Sequence, residues 1–218
     1  MIKDTKEFCS PVHLTAQHDL EDFQSGEESL DSWLRGRAID NMETGASRTY
    51  VICPSGSRKV IGYYAICMGH IINQEVIGSM RRNMPRHIPA VILGRLAIDE
   101  KWQGKGLGGA LLRDAAERSA RAAKEVSARL MIVHAISPEA EAFYLHHGFS
   151  RLPTETPTYA LDLIKFASAL PEWGSKPNPA KSLRRQYHPF QDGFQINRFP
   201  LVTKCVVPKE MQVLPSRW

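Results

Sequence analysis

The sequence predicts an α+β fold in which short strands and helices alternate around one core. Three observations carry this. Val91–Ile98 is an apolar strand pattern that passes through a charged turn and three glycines, Gly104, Gly106 and Gly108, into a helix-period run at Leu107, Leu111 and Ala115. Tyr50–Cys53 and Val60–Met68 are short runs rich in Val, Ile and Tyr. Between them lies Pro54-Ser55-Gly56-Ser57, the pattern of a hairpin. A further apolar run, Leu130–Ala135, leads into Ser137-Pro138, the cap and first-turn proline of another helix.

The elements follow in order. Leu30, Trp33, Leu34, Ala38 and Met42 recur at helical spacing across residues 27–42. Glu27, Glu28 and Asp31 stand toward the start of that helix, where its dipole favours acids, and Ser25 or Gly26 is placed to cap it. The hairpin comes next, then Met80–Pro89, irregular and basic, leading to a strand at Val91. A long helix spans Gly106–Lys124. The helix opened by Ser137 ends near His147, with Gly148 as its C-terminal glycine. Tyr159–Leu163 supplies the closing strand.

A chain of 218 residues with 43% apolar content can bury one substantial core. No run of about 18 apolar residues exists, so no membrane span is expected. Met1–Glu7 carries acids and no apolar stretch, unlike a signal peptide, and the expected location is the cytoplasm. Cys9, Cys53, Cys67 and Cys205 match neither zinc spacing nor a redox pair; they read as free thiols, and no metal is implied. Charge is unevenly spread. Residues 165–218 hold nine Lys/Arg and three Asp/Glu, a balance of +6, whereas residues 1–164 hold nineteen bases and twenty acids. The net +5 therefore gives no reason to expect a nucleic-acid-binding core. The division falls into residues 1–164, one domain, and 165–218, an extension with seven of the fourteen prolines and scattered aromatics. That extension reads as a disordered basic tail, a segment docked on the core, or a fused addition; its aromatics argue mildly against full disorder.

The strand, glycine turn and helix make an anion site. The first N–H groups of a helix lack intrahelical partners, the dipole favours negative charge there, and glycine lets a phosphate reach the backbone. A nucleotide-hydrolase loop would need Lys-Ser/Thr after its last glycine, but Gly109 and Ala110 stand there. A dinucleotide fold would place its glycines after the first strand. Both are excluded.

Gln103-Gly104-Lys105-Gly106-Leu107-Gly108 resembles the Q/R-x-x-G-x-G/A signature of the GCN5-related N-acetyltransferases (GNAT family). Ile92–Asp99 resembles that family's central strand, and Glu141–Phe149 its last helix and the turn after it. The resemblance covers roughly residues 12–163. It implies a mixed, mostly antiparallel sheet flanked by helices, and acetyl-CoA as cofactor. The pantetheine arm would pair with the backbone of Leu96, Ala97 and Ile98. The pyrophosphate would lie on Gln103, Gly104, Lys105, Gly106, Leu107 and Gly108. Acetyl transfer needs a neutral amine, a stabilised oxyanion and a proton for the departing thiolate. Tyr144 matches the family tyrosine beside the cofactor sulfur and is the candidate acid; the backbone N–H near Leu96 would polarise the acetyl carbonyl.

No base stands out. Asp99 and Glu100 suit capping or solvent, His134 suits a core position, and His146 and His147 suit a helix C-terminus. A lysine amine with a pKa near 10.4 is mostly protonated at pH 7, whereas an α-amine near 7.7–8.0 is partly neutral unaided. The missing base points to an acceptor amine of low pKa. Phe23–Leu34, Arg81-Arg82-Asn83-Met84-Pro85, Gly94–Ala97 and Phe143–Phe149 resemble the TacT-type acetyltransferase toxins of toxin–antitoxin pairs. That resemblance implies acetylation of the α-amine of aminoacyl-tRNA, a homodimer and a ribbon-helix-helix antitoxin. Arg35, Arg37, Arg81, Arg82, Arg86 and Arg95 would then hold tRNA phosphate, for which the guanidinium fork is suited. The alternatives are an acetyltransferase for a small amine or a protein N-terminus, and a non-catalytic module that binds acetyl-CoA or tRNA.

Overall fold

One long strand organises the molecule. The computed structural model describes residues 7–170 and 202–204. In chain order these form β1 (Val12–His13), α1 (Glu28–Glu43), β2 (Arg48–Ile52), β3 (Gly62–Ile72), β4 (His87–Ile98), α2 (Leu107–Val126), β5 (Leu130–His134), α3 (Pro138–His146), β6 (Ser150–Arg151), β7 (Thr158–Asp162), α4 (Leu163–Ala169) and β8 (Val202–Lys204). The sheet runs β1-β2-β3-β4-β5-β7-β6, with β8 also on β4. β4 and β5 are parallel, and the other described pairings are antiparallel. This is the mixed, mostly antiparallel sheet flanked by helices that the sequence implied.

Side chains alternate across the sheet, as strand geometry requires. Tyr50, Ile52, Tyr64, Leu96 and Ile98 face α2 and share one core with Leu107, Leu111, Leu112, Ala115 and Ala116. Val51, Tyr63 and Ala97 face the other way and pack with Leu30, Leu34 and Ala38 of α1. The α2 stripe, Leu107, Gly108, Leu111, Leu112, Ala115, Ala116, Ser119 and Ala120, repeats at helical spacing and is buried throughout. β4 carries one extra residue. Ala65 pairs with Arg95 and Ile66 with Leu93, so Gly94 forms a bulge.

Several expectations shift. α1 starts at Glu28, and its N-cap residue Glu27 makes no side-chain cap bond. Ser25 is not the cap; its N–H and Oγ–H donate to the buried Asp31 carboxylate, at 3.1 and 2.6 Å. The strand expected from Val91 begins at His87, because hairpin pairing with β3 extends back to Ile72↔His87. β7 ends at Asp162, whose carboxylate accepts from the N–H groups of Ile164 and Lys165 and so opens α4. The extension is therefore not wholly irregular: α4 takes up its first residues, and β8 is a strand on β4. The α3 terminus follows expectation. Gly148 has φ +84°, its N–H donates to the Leu145 carbonyl, and the Phe149 N–H donates to that of Tyr144. That is a Schellman closure. Cys9, Cys53 and Cys67 are free thiols. Cys205, Met1–Lys6 and the rest of the extension lie outside the described residues. Among the described residues no helix is long and apolar enough to cross a membrane.

Candidate active site

The glycine turn is built to leave backbone uncovered. Asp99 ends β4 and accepts from the N–H of Lys101 and of Gln24, which fixes the 3-10 turn at Glu100–Trp102. Gln103 then turns inward. Its Nε2 donates to the carbonyls of Ser25 (3.0 Å) and Ile98 (2.9 Å), and its N–H donates to Glu100. Gln103 thus clamps the loop to the end of β4, and its donors are already engaged. Gly104 and Gly106 have φ +75° and +77°, the left-handed region that favours glycine. Gly106 is the N-cap of α2, and the first intrahelical bond is from Ala110 N–H to its carbonyl. The amides that open α2 therefore lack partners within the helix. A Cβ at Gly104 would meet nothing within 4 Å, so this surface is open to an anion. Lys105 Nζ lies 4.2 Å from the centre of the Trp102 ring, a cation–π contact at the rim of the loop.

β4 and β5 part beside this loop. They pair only from Ala90↔Leu130 to Ile92↔Ile132, although both strands continue. From Leu93 to Ile98 the core strands leave the β5-facing edge of β4 open, next to the bulge at Gly94. Leu96, Ala97 and Ile98 lie on this stretch. Sequence reasoning gave Gly94 no role, though a glycine inside a strand pattern is the ordinary signal of a bulge. Tyr144, on α3, is fully buried in the core shared with Leu96, Leu107 and Leu111, and it packs edge-on to Phe143 and Phe149.

On the opposite face α1 supplies a platform. The Arg95 guanidinium stacks 4.0 Å from the centre of the Trp33 ring, and Trp33 stacks on Tyr63. Tyr63 Oη–H donates to the Leu30 carbonyl. Sequence spacing alone placed Trp33 on the helix without this role. Arg35 is partly committed: it donates to the Phe23 carbonyl at 2.8 Å and pairs with Glu28 at 3.3 Å. Arg37 is exposed. Arg81, Arg82 and Arg86 are exposed in the β3–β4 connection, which Asn73 shapes. The Asn73 Nδ2 donates to the carbonyls of Arg81 and Met84, each at 3.1 Å, and its N–H donates to Arg86. Asn83 within this turn has φ +58°. Lys165 of α4 reaches the same arm, donating to Ser79 Oγ. The structure so brings Arg81, Arg82 and Arg86 together and leaves Arg35, Arg37 and Arg95 at the α1 side.

Asp99 is occupied as above, Glu100 is exposed within the turn, and His147 Nε2 stands against Gly109 in the first turn of α2. His134, at the end of β5, is buried, with Nδ1 2.9 Å from Thr158 Oγ1 and Nε2 lacking a hydrogen bond. Burial lowers its pKa. The unfolded chain therefore binds the proton more readily, and stability should be lost as pH falls below about 6.5. His13 and His147, lowered first by desolvation, act in the same direction. Urea midpoints measured from pH 7.5 to 5 should fall, and His134→Gln should flatten that slope without removing it. An equal slope in the variant would exclude His134 as a contributor.

Comparison with known proteins decides the family. Residues 50–151 match the acetyltransferase (GNAT) domain. The tRNA-acetylating toxin of Mycobacterium tuberculosis is 43% identical over 163 residues, which cover 75% of this chain and 96% of the relative. The chain belongs to the GNAT family of acetyltransferases. Among solved structures it is similar to AtaT complexed with acetyl-methionyl-tRNAfMet, with 29% identity and a TM-score of 0.69 over 73% of this chain and 97% of that one. A tyrosine-to-phenylalanine mutant of AtaT, bound to the C-terminus of the antitoxin AtaR and to acetyl-CoA, gives 28% identity and a TM-score of 0.64 over 75% and 99%. The GNAT match runs from β2 to β6 and so takes in the glycine turn, the parted strands and α3. This chain is an N-acetyltransferase, and the amides that open α2, which lack intrahelical partners, fit the phosphates of acetyl-CoA.

Proposed function

We propose that this acetyltransferase transfers the acetyl group of acetyl-CoA to the α-amine of aminoacyl-tRNA and thereby blocks translation. One observation carries the reading. β4 joins the two ends of the site, with the glycine turn after Ile98 and the arginine arm before His87. Between Val76 and Ile98 the chain has three arginines in the arm, Arg95 further along, and no acidic residue. From His87 to Arg95 the strand spans roughly 25 Å at about 3.3 Å per residue. An RNA stem whose 3′ end reaches the parted strands would lay its phosphates on Arg81, Arg82 and Arg86. A small amine would need no such arm. The likeness to a tRNA-acetylating toxin and to AtaT with its charged tRNA supports the same reading.

Acetyl-CoA, when bound, supplies the thioester that the acceptor amine attacks. The amides of Gly104–Gly108, with Lys105, hold its phosphates, and Gln103 sets the loop that presents them. The backbone of Leu96, Ala97 and Ile98 orients the arm, and the N–H near Leu96 polarises the acetyl carbonyl. Tyr144 would give its phenol proton to the departing sulfur, and the proton shed by the acceptor nitrogen would return to the phenolate through solvent. Arg95 on Trp33, with Arg35 and Arg37, faces the acceptor. An α-amine of pKa near 8 is partly neutral at pH 7 and needs no strong base, in keeping with the occupied Asp99. The proposal extends to a homodimer, to a ribbon-helix-helix antitoxin and to action in the cytoplasm, where charged tRNA is found. Exposed Met68, Ile72 and Ile77 along the β3–β4 arm supply apolar surface for such contacts.

The deciding experiment incubates a mixed pool of charged tRNA with the protein and acetyl-CoA and reads α-acetylation by mass spectrometry. Acetylated aminoacyl-tRNA supports the proposal. Acetylation of free amines or peptides alone would overturn it. Arg81→Ala/Arg82→Ala should raise KM for charged tRNA and leave kcat unchanged. The slope of log affinity against log salt should shrink by about 1 per arginine that contacts a phosphate. An unchanged slope would remove the arm from the RNA interface.

A further inference from the structure

β4 has two edges, and β3 holds the first along its whole length, from Ile72↔His87 to Gly62↔Ile98. The second edge is paired with β5 only at Ala90–Ile92. Yet Arg95, Leu96 and Ala97 are paired twice: Lys204, Thr203 and Val202 of β8 oppose them in an antiparallel register. With β3 on the first edge, β8 occupies the second, in the gap left where β5 departs. It also approaches α1, the helix on the acceptor side.

We infer that the C-terminal extension carries a built-in competitor for acetyl-CoA: the backbone of residues 202–204 docks on β4 at Arg95–Ala97 and must leave before the pantetheine arm can pair there. This rests on the reading that Leu96, Ala97 and Ile98 orient that arm. The competition is steric and directional. A strand takes neighbours about 4.8 Å away through its own N–H and C=O groups, so one edge accepts one extended partner at a time. Leu96 and Ala97 belong to both sets. Covalent attachment makes the competition intramolecular, so dilution of the protein does not relieve it. The same β4 edge thus recognises two ligands by one chemistry, an extended backbone of its own chain and the amide-bearing arm of the cofactor. Three residue pairs form a short ladder, which suits a partner that is displaced rather than permanently seated.

Backbone N–H groups alternate in direction along a strand, so one of Thr203 and Lys204 aims its N–H at β4. Thr203→Pro/Lys204→Pro in the full chain removes that donor and disfavours the strand, whichever residue supplies it. The variant should bind acetyl-CoA at least tenfold more tightly than the unaltered chain by titration calorimetry. Unaltered affinity would overturn the proposal. Hydrogen exchange of peptides covering residues 95–97 separates the two underlying readings. Without cofactor, protection should fall in the variant, and acetyl-CoA should restore it. Equal protection in both chains without cofactor would show that β8 does not hold this edge and would overturn the proposal. Loss of protection with no effect of acetyl-CoA would confirm the docked strand and overturn the cofactor reading, and competition with it.

Discussion

Tyr144→Phe should lower kcat by about 10²- to 10⁴-fold, the range that general-acid assistance commonly supplies, while leaving the affinity for acetyl-CoA almost unchanged. The ring, not the hydroxyl, does the packing: Tyr144 is fully buried against Phe143, Phe149 and Tyr159. Phenylalanine keeps that volume, so the fold and the adjoining start of α2 should stand. On the proposed mechanism, the proton offered to the sulfur is lost. Turnover measured at saturating charged tRNA and acetyl-CoA, with cofactor affinity measured separately, checks both halves. Equal turnover would make Tyr144 a core aromatic. A loss of affinity in step with turnover would place it in binding.

Gly106→Val should weaken acetyl-CoA binding by at least tenfold. Two causes act together. Gly106 has φ +77°, where a β-branched residue is strained by roughly 1–2 kcal/mol. It is also the N-cap of α2, so a branched side chain would stand where phosphate has to meet the first helical amides. Gly104→Ala separates the causes. It has φ +75° and open space around its Cβ, so it carries the backbone cost without the branched obstruction. Calorimetric titration should show a much larger loss for Gly106→Val than for Gly104→Ala. Equal losses would mean that backbone strain, not phosphate access, governs the loop.

The sequence made the glycine turn between β4 and α2 legible because its geometry is local. Gly104, Gly106 and Gly108 stand within five positions, and a strand and a helix on either side define the geometry. Ser137-Pro138 and Gly148 likewise marked both ends of α3 by side-chain and backbone rules that act over three or four residues. What escaped is set by distant partners. Gln103 is held by Ser25, 78 positions away. Asn73 shapes the arginine arm through carbonyls eight to thirteen residues on. Trp33 gains its role only when Arg95 crosses from the sheet. β8 is three residues with no periodicity long enough to read, and its pairing partner lies more than a hundred positions earlier. α4 was missed for a related reason: seven residues are too few for a periodic stripe, and its signal, Asp162 as cap, looked like the end of a strand.

The extra residue at Gly94 has a consequence for chirality of placement along β4. Before it, the odd-numbered Val91 and Leu93 look toward α2; after it, the even-numbered Leu96 and Ile98 do. The strand changes phase once, and everything downstream is rotated by half a repeat. Were Gly94 a regularly paired strand residue instead of a bulge, Arg95 would point its guanidinium into the apolar layer under α2, and Leu96 would take its place on Trp33. Which side chains of β4 meet α2 and which meet α1 is thus a matter of counting: one residue with no side chain sets the phase of everything that follows it.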